Sequence, residues 1–139
     1  MSGPQAAVFD TNVLVSGFLS PLGPPGRITE WLRTGTVRAG LDDRILAEYE
    51  DVLHRPRLGL PAHEVDVVLR AIAGHACWAR VLPQHTVRAL PDPDDAPFAE
   101  CAFALGIGLV TGNARHYPSA ALSGLTVLSP RQFVERIGG

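Results

Sequence analysis

Five short apolar runs, each parted from the next by segments of helical spacing, decide what this chain can fold into. The runs are AAVF (6–9), TVRAGL (36–41), ARVL (79–82), the core of GIGLVTGN (106–113) and LTVLS (125–129). They are nearly continuous in apolar character instead of alternating, the mark of strands buried on both faces. Between them lie VLVSGFLS, then RITEWLRTG with Ile28, Trp31 and Leu32 at helical spacing. RILAEYEDVLH follows, with Asp42 or Asp43 at its N-cap and its end before Pro56. AHEVDVVLRAIAGHACWA (62–79) carries Val65, Val68, Leu69 and Ile72 on one face, and FAECAFALG precedes the fourth run. A short helix is expected around ARHY, and a last one after Ser129-Pro130, with Ser at N-cap and Pro at N1. Strands alternating with helices give a parallel sheet covered on both faces, an α/β fold. PLGPPG and RLGLP read as loops, and no repeat or linker divides residues 1–139, so one domain is expected.

Composition removes several functions. A net charge of −2 argues against a protein that coats nucleic acid through bulk positive charge. All twelve basic residues are Arg, which excludes a phosphate-loop lysine and a Schiff-base lysine. No apolar run is long enough for a membrane span, and MSGPQAAVFD lacks the basic and apolar regions of a signal peptide, so a cytoplasmic chain is expected. Cys77 and Cys101 have no metal-ligand spacing and read as small hydrophobes.

The acidic residues are placed less blandly. In an open parallel sheet, ligands bind beyond the carboxyl ends of the strands. Asp10 closes the first run, and Asn113 closes the fourth. Asp92, Asp94 and Asp95, in DPDDAPFAECAFALG, precede the helix that feeds that fourth strand. Glu48, Glu50 and Asp51 lie on the helix after the second. Acids from chain-distant segments thus converge on one edge, as a hard divalent cation requires. On the second-strand helix, Ile45, Leu46, Tyr49, Val52 and Leu53 form the buried stripe. Asp51 lies opposite it, and Glu48 and Glu50 border it equally, so periodicity does not choose between them. Pro97 disfavours helical geometry at Ala96, which predicts a helix starting at Pro97 with Asp94 and Asp95 just outside it. The plain alternatives are an Asx turn at Asp10 and ordinary helix capping by the aspartates.

Four stretches together resemble the PIN-domain ribonuclease superfamily, and within it VapC-type toxin components: VFDTNVLVSGFLSPLGPPGRITEWL, LAEYEDVLHRPRL, PDPDDAPFAECAFALGIGLVTGN and LTVLSPRQFVERI. They run in the family's order over nearly the whole chain. The resemblance implies a three-layer α/β/α sandwich with a parallel sheet of four or five strands, and a Mg²⁺- or Mn²⁺-dependent ribonuclease. It implies that Asp10, Glu48 and Asp95 are the catalytic acids, with Asp94 as an extra acid and Asn113 where the family usually has a fourth Asp. Asn12 and Thr111 match polar residues that orient those acids. Asn113 keeps an oxygen acceptor and loses the charge, a departure expected to weaken cation binding. A homodimer and an inhibitory antitoxin are also implied.

The chemistry expected is hydrolysis of RNA phosphodiesters assisted by one or two cations, with no side-chain nucleophile. Arg55 and Arg57 in HRPRL, and Arg115-His116, are candidates for gripping the RNA backbone; helix-end charge compensation explains them equally well. An aspartyl-phosphate phosphatase is disfavoured, because FDTN lacks a second acid two residues on and the chain has no Lys. The remaining alternative is a catalytically degenerate RNA- or partner-binding module, favoured only by Asn113.

Overall fold

The computed structural model describes residues 5–138, so the MSGP start of the segment assessed for a signal peptide lies outside the described residues. Strand β1 (Gln5–Phe9) runs into α1 (Thr11–Leu19), α2 (Pro24–Thr34) and β2 (Val37–Leu41). Next come α3 (Asp43–Leu53), α4 (Ala62–His75) and the edge strand β3 (Cys77–Trp78). The chain ends with α5 (Ala96–Leu105), β4 (Gly108–Val110), β5 (Val127–Leu128) and α6 (Pro130–Gly138). The five strands form one parallel sheet in the order β3-β2-β1-β4-β5. Helices α2 and α4 pack on β2 with α6 beside α2, while α5 lies against β1, β2 and β4 with α3 next to it. This is the α/β/α sandwich with five strands.

The chain leaves β1 toward β2 and β3, then returns to add β4 and β5 on the other side of β1. Strand order therefore reverses between β1 and β4, and the crevice beyond their carboxyl ends is where such sheets bind ligands. Val8, Phe9, Leu41, Leu109 and Val110 are all buried, so both faces of the strands are covered, as their continuous apolar sequence requires. Phe133 of α6 meets Phe9 edge-on, with centroids 5.4 Å apart. That contact fixes the last helix beneath the strand that ends at Asp10.

Local chemistry sets the helix ends. Asp42 accepts from the backbone N–H groups of Arg44 and Ile45 and so starts α3. Ser129 and Gln132 cap each other's backbone N–H at the start of α6, a reciprocal capping box. Helix α4 stops at His75 instead of running on to Ala79: the chain turns extended at Ala76, and Arg38 of β2 donates to the free His75 carbonyl at 2.7 Å. Hence the third strand forms at Cys77–Trp78 and not at ARVL, although it lies at the sheet edge as expected. The ARHY segment makes a 3₁₀ turn (Ala114–His116) instead of an α-helix.

Helices α1 and α2 meet through glycine. A Cβ at Gly17 would stand 2.7 Å from the Pro25 carbonyl and closer still to Thr29 Oγ1, and one at Gly26 would run into the Pro21 backbone. Gly26→Ala is therefore expected to destabilise the fold by about 3 kcal/mol or more, since backbone must move to admit the methyl. A urea midpoint equal to that of the parent would contradict this close approach.

Candidate active site

Asp10 is the hinge of the site, and its position follows from the sheet. Its backbone N–H extends the ladder to the Val110 carbonyl at 2.9 Å, and its φ and ψ of −59° and 146° stand at the N-cap of α1. Its side chain, however, makes no capping bond. The carboxylate is instead turned toward β4 and is 5 % exposed. Its Oδ2 accepts from Thr111 Oγ1 at 2.9 Å and Tyr117 OH at 3.1 Å, with Asn12 Nδ2 at a long 3.4 Å. Three donors hold one oxygen, and no hydrogen bond to Oδ1 is made among the described residues. That replaces the Asx-turn reading of Asp10.

The surrounding bonds fix those donors. Asn12 Oδ1 accepts from the Gly112 N–H at 3.0 Å, and Thr111 Oγ1 accepts from the Asn113 N–H at 3.1 Å. Tyr49, buried in α3, donates to the Phe9 carbonyl and anchors the end of β1. Burial, with Asp10 adding to it, holds the Tyr49 and Tyr117 hydroxyls far above the usual phenol range, so both remain neutral donors. Tyr117 also feels the negative charge of Asp95 and Glu48.

Glu48 and Glu50, indistinguishable by periodicity, separate in space. Glu48 accepts from Thr11 Oγ1, on the α1 side of α3 and one residue from Asp10. Glu50 faces the groove between α3 and α4 with Leu46, Asp66 and Leu69. Asp51 is exposed and paired with Arg55 at 2.9 Å.

The acidic turn differs from expectation at one point. Ala96 is helical, with φ −56° and ψ −40°, and α5 begins there despite Pro97. Asp92 accepts from the Asp94 N–H at 3.0 Å and Pro93 opens a 3₁₀ turn (Pro93–Asp95). That turn runs straight into α5 and carries Ala96 into helical geometry. Asp92 thus performs the capping, while Asp95 makes no cap bond. Asp94 is exposed. Glu100, buried on α5, holds the segment leading into this turn. It accepts from the Val87 N–H at 2.9 Å and pairs with Arg44 at 2.8 Å.

Asp95 Oδ2 is buried and has no aligned hydrogen-bond donor. His116 Nδ1 lies 2.9 Å from it, close enough for an ionic contact but poorly directed for a hydrogen bond. Burial, together with the charge of Asp10, pushes the Asp95 carboxyl up to about 6, only partly offset by His116. A carboxylate raised by burial and by its neighbour's charge, with an unsatisfied buried oxygen, suits a nearby cation. No three Asp, Glu, His or Cys side chains among the described residues are grouped so as to enclose a metal ion. Mg²⁺ needs no such cage, since it commonly binds through one or two carboxylates and keeps several waters. Asp10, through its open oxygen, and Asp95, through its donorless one, fit such an ion in kind, and Glu48 is bonded to Thr11, the residue after Asp10.

The remaining candidates lie further out. Asn113 is half-buried, and its side chain makes no cap bond in the turn it opens. Arg115 is exposed on that same turn, two residues from Asn113. Arg55 and Arg57 lie beyond the end of α3, Arg55 two helical turns past Glu48, or about 10 Å along the axis. Thr11 and Tyr117 were not assigned to the site from sequence, and His116 was read only as a candidate contact to the RNA backbone. Tyr117 follows β4, the strand beside the one that ends at Asp10, yet nothing in its spacing distinguishes it from a core tyrosine.

The PIN domain family matches residues 6–115, most of the chain. The chain belongs to the PIN domain family. No curated protein of significant similarity matches this PIN domain chain. Its fold is similar to that of a chain in the crystal structure of VapBC2 from Rickettsia felis bound to a DNA fragment from their promoter. The two are 14 % identical with a TM-score of 0.62, over 90 % of this chain and 98 % of the other. At that identity the likeness shows the shared fold. No helix among the described residues of this PIN domain is long and apolar enough to cross a membrane.

Proposed function

We propose that this PIN domain protein is a divalent-cation-dependent endoribonuclease, folded as a single domain over residues 1–139. It would act as the toxin component of a toxin–antitoxin pair. The observation that carries the reading is the switch-point pair itself. Asp10 is pinned through one oxygen, and the buried, donorless oxygen of Asp95 lies within its field. Membership of the PIN domain family supports nuclease chemistry, and the likeness to a VapBC2 chain supports an antitoxin partner. A homodimer belongs to the same reading, and sedimentation of the purified chain tests it.

A Mg²⁺ or Mn²⁺ ion supplies Lewis-acid activation of the phosphate and of the attacking water when bound. Asp10, through Oδ1, and Asp95 would hold the ion. Glu48, fixed by Thr11, adds charge and an acceptor beside them. Thr111, Tyr117 and Asn12 orient Asp10 by occupying its other oxygen, so that the open one keeps a fixed direction. Asp94 and Asn113 are proposed as outer acceptors, and Arg115, with Arg55 and Arg57 further away, as contacts to the RNA backbone. Cleavage of end-labelled RNA during a Mn²⁺ titration tests the reading, with no cutting at any concentration as the contrary result.

A second reading, a catalytically degenerate binding module, draws on the uncharged Asn113 and on the absence of an enclosed ligand set among the described residues. Asn113→Asp separates the two. Adding a charge there is expected to tighten Mn²⁺ binding about tenfold and to raise cleavage, while the exposed Asp94→Asn changes little. Weaker binding after Asp94→Asn, with no change after Asn113→Asp, would reverse the order of the two positions. An Asn113→Asp protein that binds Mn²⁺ but cuts nothing favours the module.

A further inference from the structure

We propose that the segment between β3 and α5 forms, with the outer face of α5, a subsite for single-stranded RNA, in which a base lies on Phe103 and Arg88 holds the phosphate beside it. The inference rests on the nuclease reading above and names where the strand is held as it leaves the acidic turn.

Residues 79–92 form no strand and no α-helix, yet the path of this strap is fixed at several points. Pro83–His85 makes a 3₁₀ turn, and the Leu82 N–H donates to His85 Nδ1 at 2.9 Å. The Val87 N–H donates to Glu100 of α5 at 2.9 Å, and Arg44 of α3 pairs with the same carboxylate. Ala89 then takes a φ of 64°, in the left-handed region, and the next residue, Leu90, is buried in the core. A strap anchored in this way presents its side chains already ordered, which lowers the entropic cost of binding.

Two clefts lie along it. The larger, about 440 Å³, is lined by His85, Thr86, Arg88 and Phe103, with Ala121 and Ser123 from the segment before β5. The smaller, about 260 Å³, shares Val87 and Arg88 with the first and reaches Pro93 and Ala96. Pro93 and Ala96 bracket Asp94 and Asp95. The clefts therefore follow two turns of α5, about 10 Å, from the acidic turn to Phe103.

The lining selects the occupant. No acid is among the described residues that line either cleft, although the chain carries more acids than arginines. Arg88 is exposed, lines both clefts and makes no ion pair among the described residues, so its guanidinium fork is available to a phosphate. Phe103 is half-buried in the wall of the larger cleft and offers a ring on which an unstacked base can lie. His85 accepts at Nδ1, so its neutral ring carries the proton on Nε2, a donor for a base edge, and the Thr86 hydroxyl both donates and accepts. The larger cleft falls within the range of about 300–1,000 Å³ common for small-ligand sites, room enough for a nucleoside. A duplex keeps its bases stacked and paired, so the occupant is a single strand. Continuity with the acidic turn, where a phosphate is the reacting group, favours RNA over a peptide.

The test measures binding apart from cleavage. A labelled single-stranded RNA is titrated against the full chain in EDTA by fluorescence anisotropy, at several salt concentrations, beside the same sequence as a duplex. Arg88→Ala should weaken single-strand binding about tenfold and flatten the slope of log K against log salt by about 0.7, the loss of one phosphate contact. Phe103→Leu should weaken it about tenfold with the slope unchanged, because stacking releases no counterion, and should leave duplex affinity as it was. Ser123→Glu, exposed at the rim, should weaken single-strand binding by charge repulsion without disturbing the packing of Phe103. Arg33→Ala, on α2 and paired with Glu30, is the control and should bind as the parent does. Single-strand affinity unaltered by both Arg88→Ala and Ser123→Glu would overturn the inference, as would a parent that binds no RNA. If the parent cuts RNA with Mn²⁺ and those two variants bind and cut as it does, the nuclease stands and the subsite falls. Binding weakened in the variants, with a parent that never cuts, would uphold the subsite and defeat the nuclease reading.

Discussion

Asp10→Asn is expected to lower Mn²⁺-dependent RNA cleavage by about a thousandfold or more, equivalent to about 4 kcal/mol of transition-state stabilisation. The fold should survive. The amide oxygen of Asn can replace Oδ2 as acceptor for Thr111 and Tyr117, leaving the amide nitrogen at the open position. What is lost is the negative charge at that opening and its attraction for a cation. The same loss removes the repulsion between residues 10 and 95, so the variant without metal should melt no lower than the parent. Unaltered cleavage together with a native circular dichroism spectrum would remove Asp10 from the chemistry. Asp51→Asn is the control, because Asp51 is exposed and paired with Arg55, and its cleavage rate should match the parent.

The second large effect is a pH dependence that the cation reverses. Burial and Asp10 raise the Asp95 carboxyl from 3.8 to about 6 in the folded protein. A raised acid favours the folded state when protonated. Its contribution is fully present below pH 4 and is lost as pH rises through about 6. The expected result is read as a difference, since other carboxylates titrate over the same range. Asp95→Asn cannot ionise, so without metal it should be more stable than the parent at pH 7, and that gap should close as pH falls toward 4. Adding Mn²⁺ at a hundredfold excess over Kd should stabilise the parent at pH 7 by about 2.7 kcal/mol, or about 9 °C in Tm for a chain of this size. Asp95→Asn should respond far less. A parent whose Tm ignores millimolar Mn²⁺ at pH 7, or a gap that does not change between pH 4 and pH 7, would count against a cation shared by these acids.

Strand and helix order followed directly from the chain. The apolar runs ending at Asp10 and before Asn113, and the helical stripe Ile45, Tyr49 and Leu53, are local patterns that burial on both sheet faces enforces. Helix starts at Asp42 and Ser129 were equally legible, because an N-cap is a bond between residues two or three apart. The same locality explains the failure at Ala96. A proline rule predicts one residue's preference, but the turn that Asp92 caps had already set the helix in motion. Likewise the free carbonyl at the end of α4 is satisfied by Arg38, a residue 37 positions away that no local rule consults.

The site divides in the same way. Asp10 and the acidic turn were visible because strand ends and charged clusters can be read in sequence. The choice between Glu48 and Glu50 needed resemblance or coordinates, since both border the same stripe and only the neighbouring helices distinguish the two sides. Tyr117, and the contact of His116 with Asp95, could not be found from spacing. Their partners, Asp10 and Asp95, stand 107 and 21 positions earlier in the chain, and such contacts exist only once β4 lies beside β1. The sequence alone determined which segments are buried and which acids stand at the ends of strands, because those follow from periodicity and capping. Only the tertiary structure decided which side chain faces which, because strand order is fixed by packing between distant segments and not by any one of them.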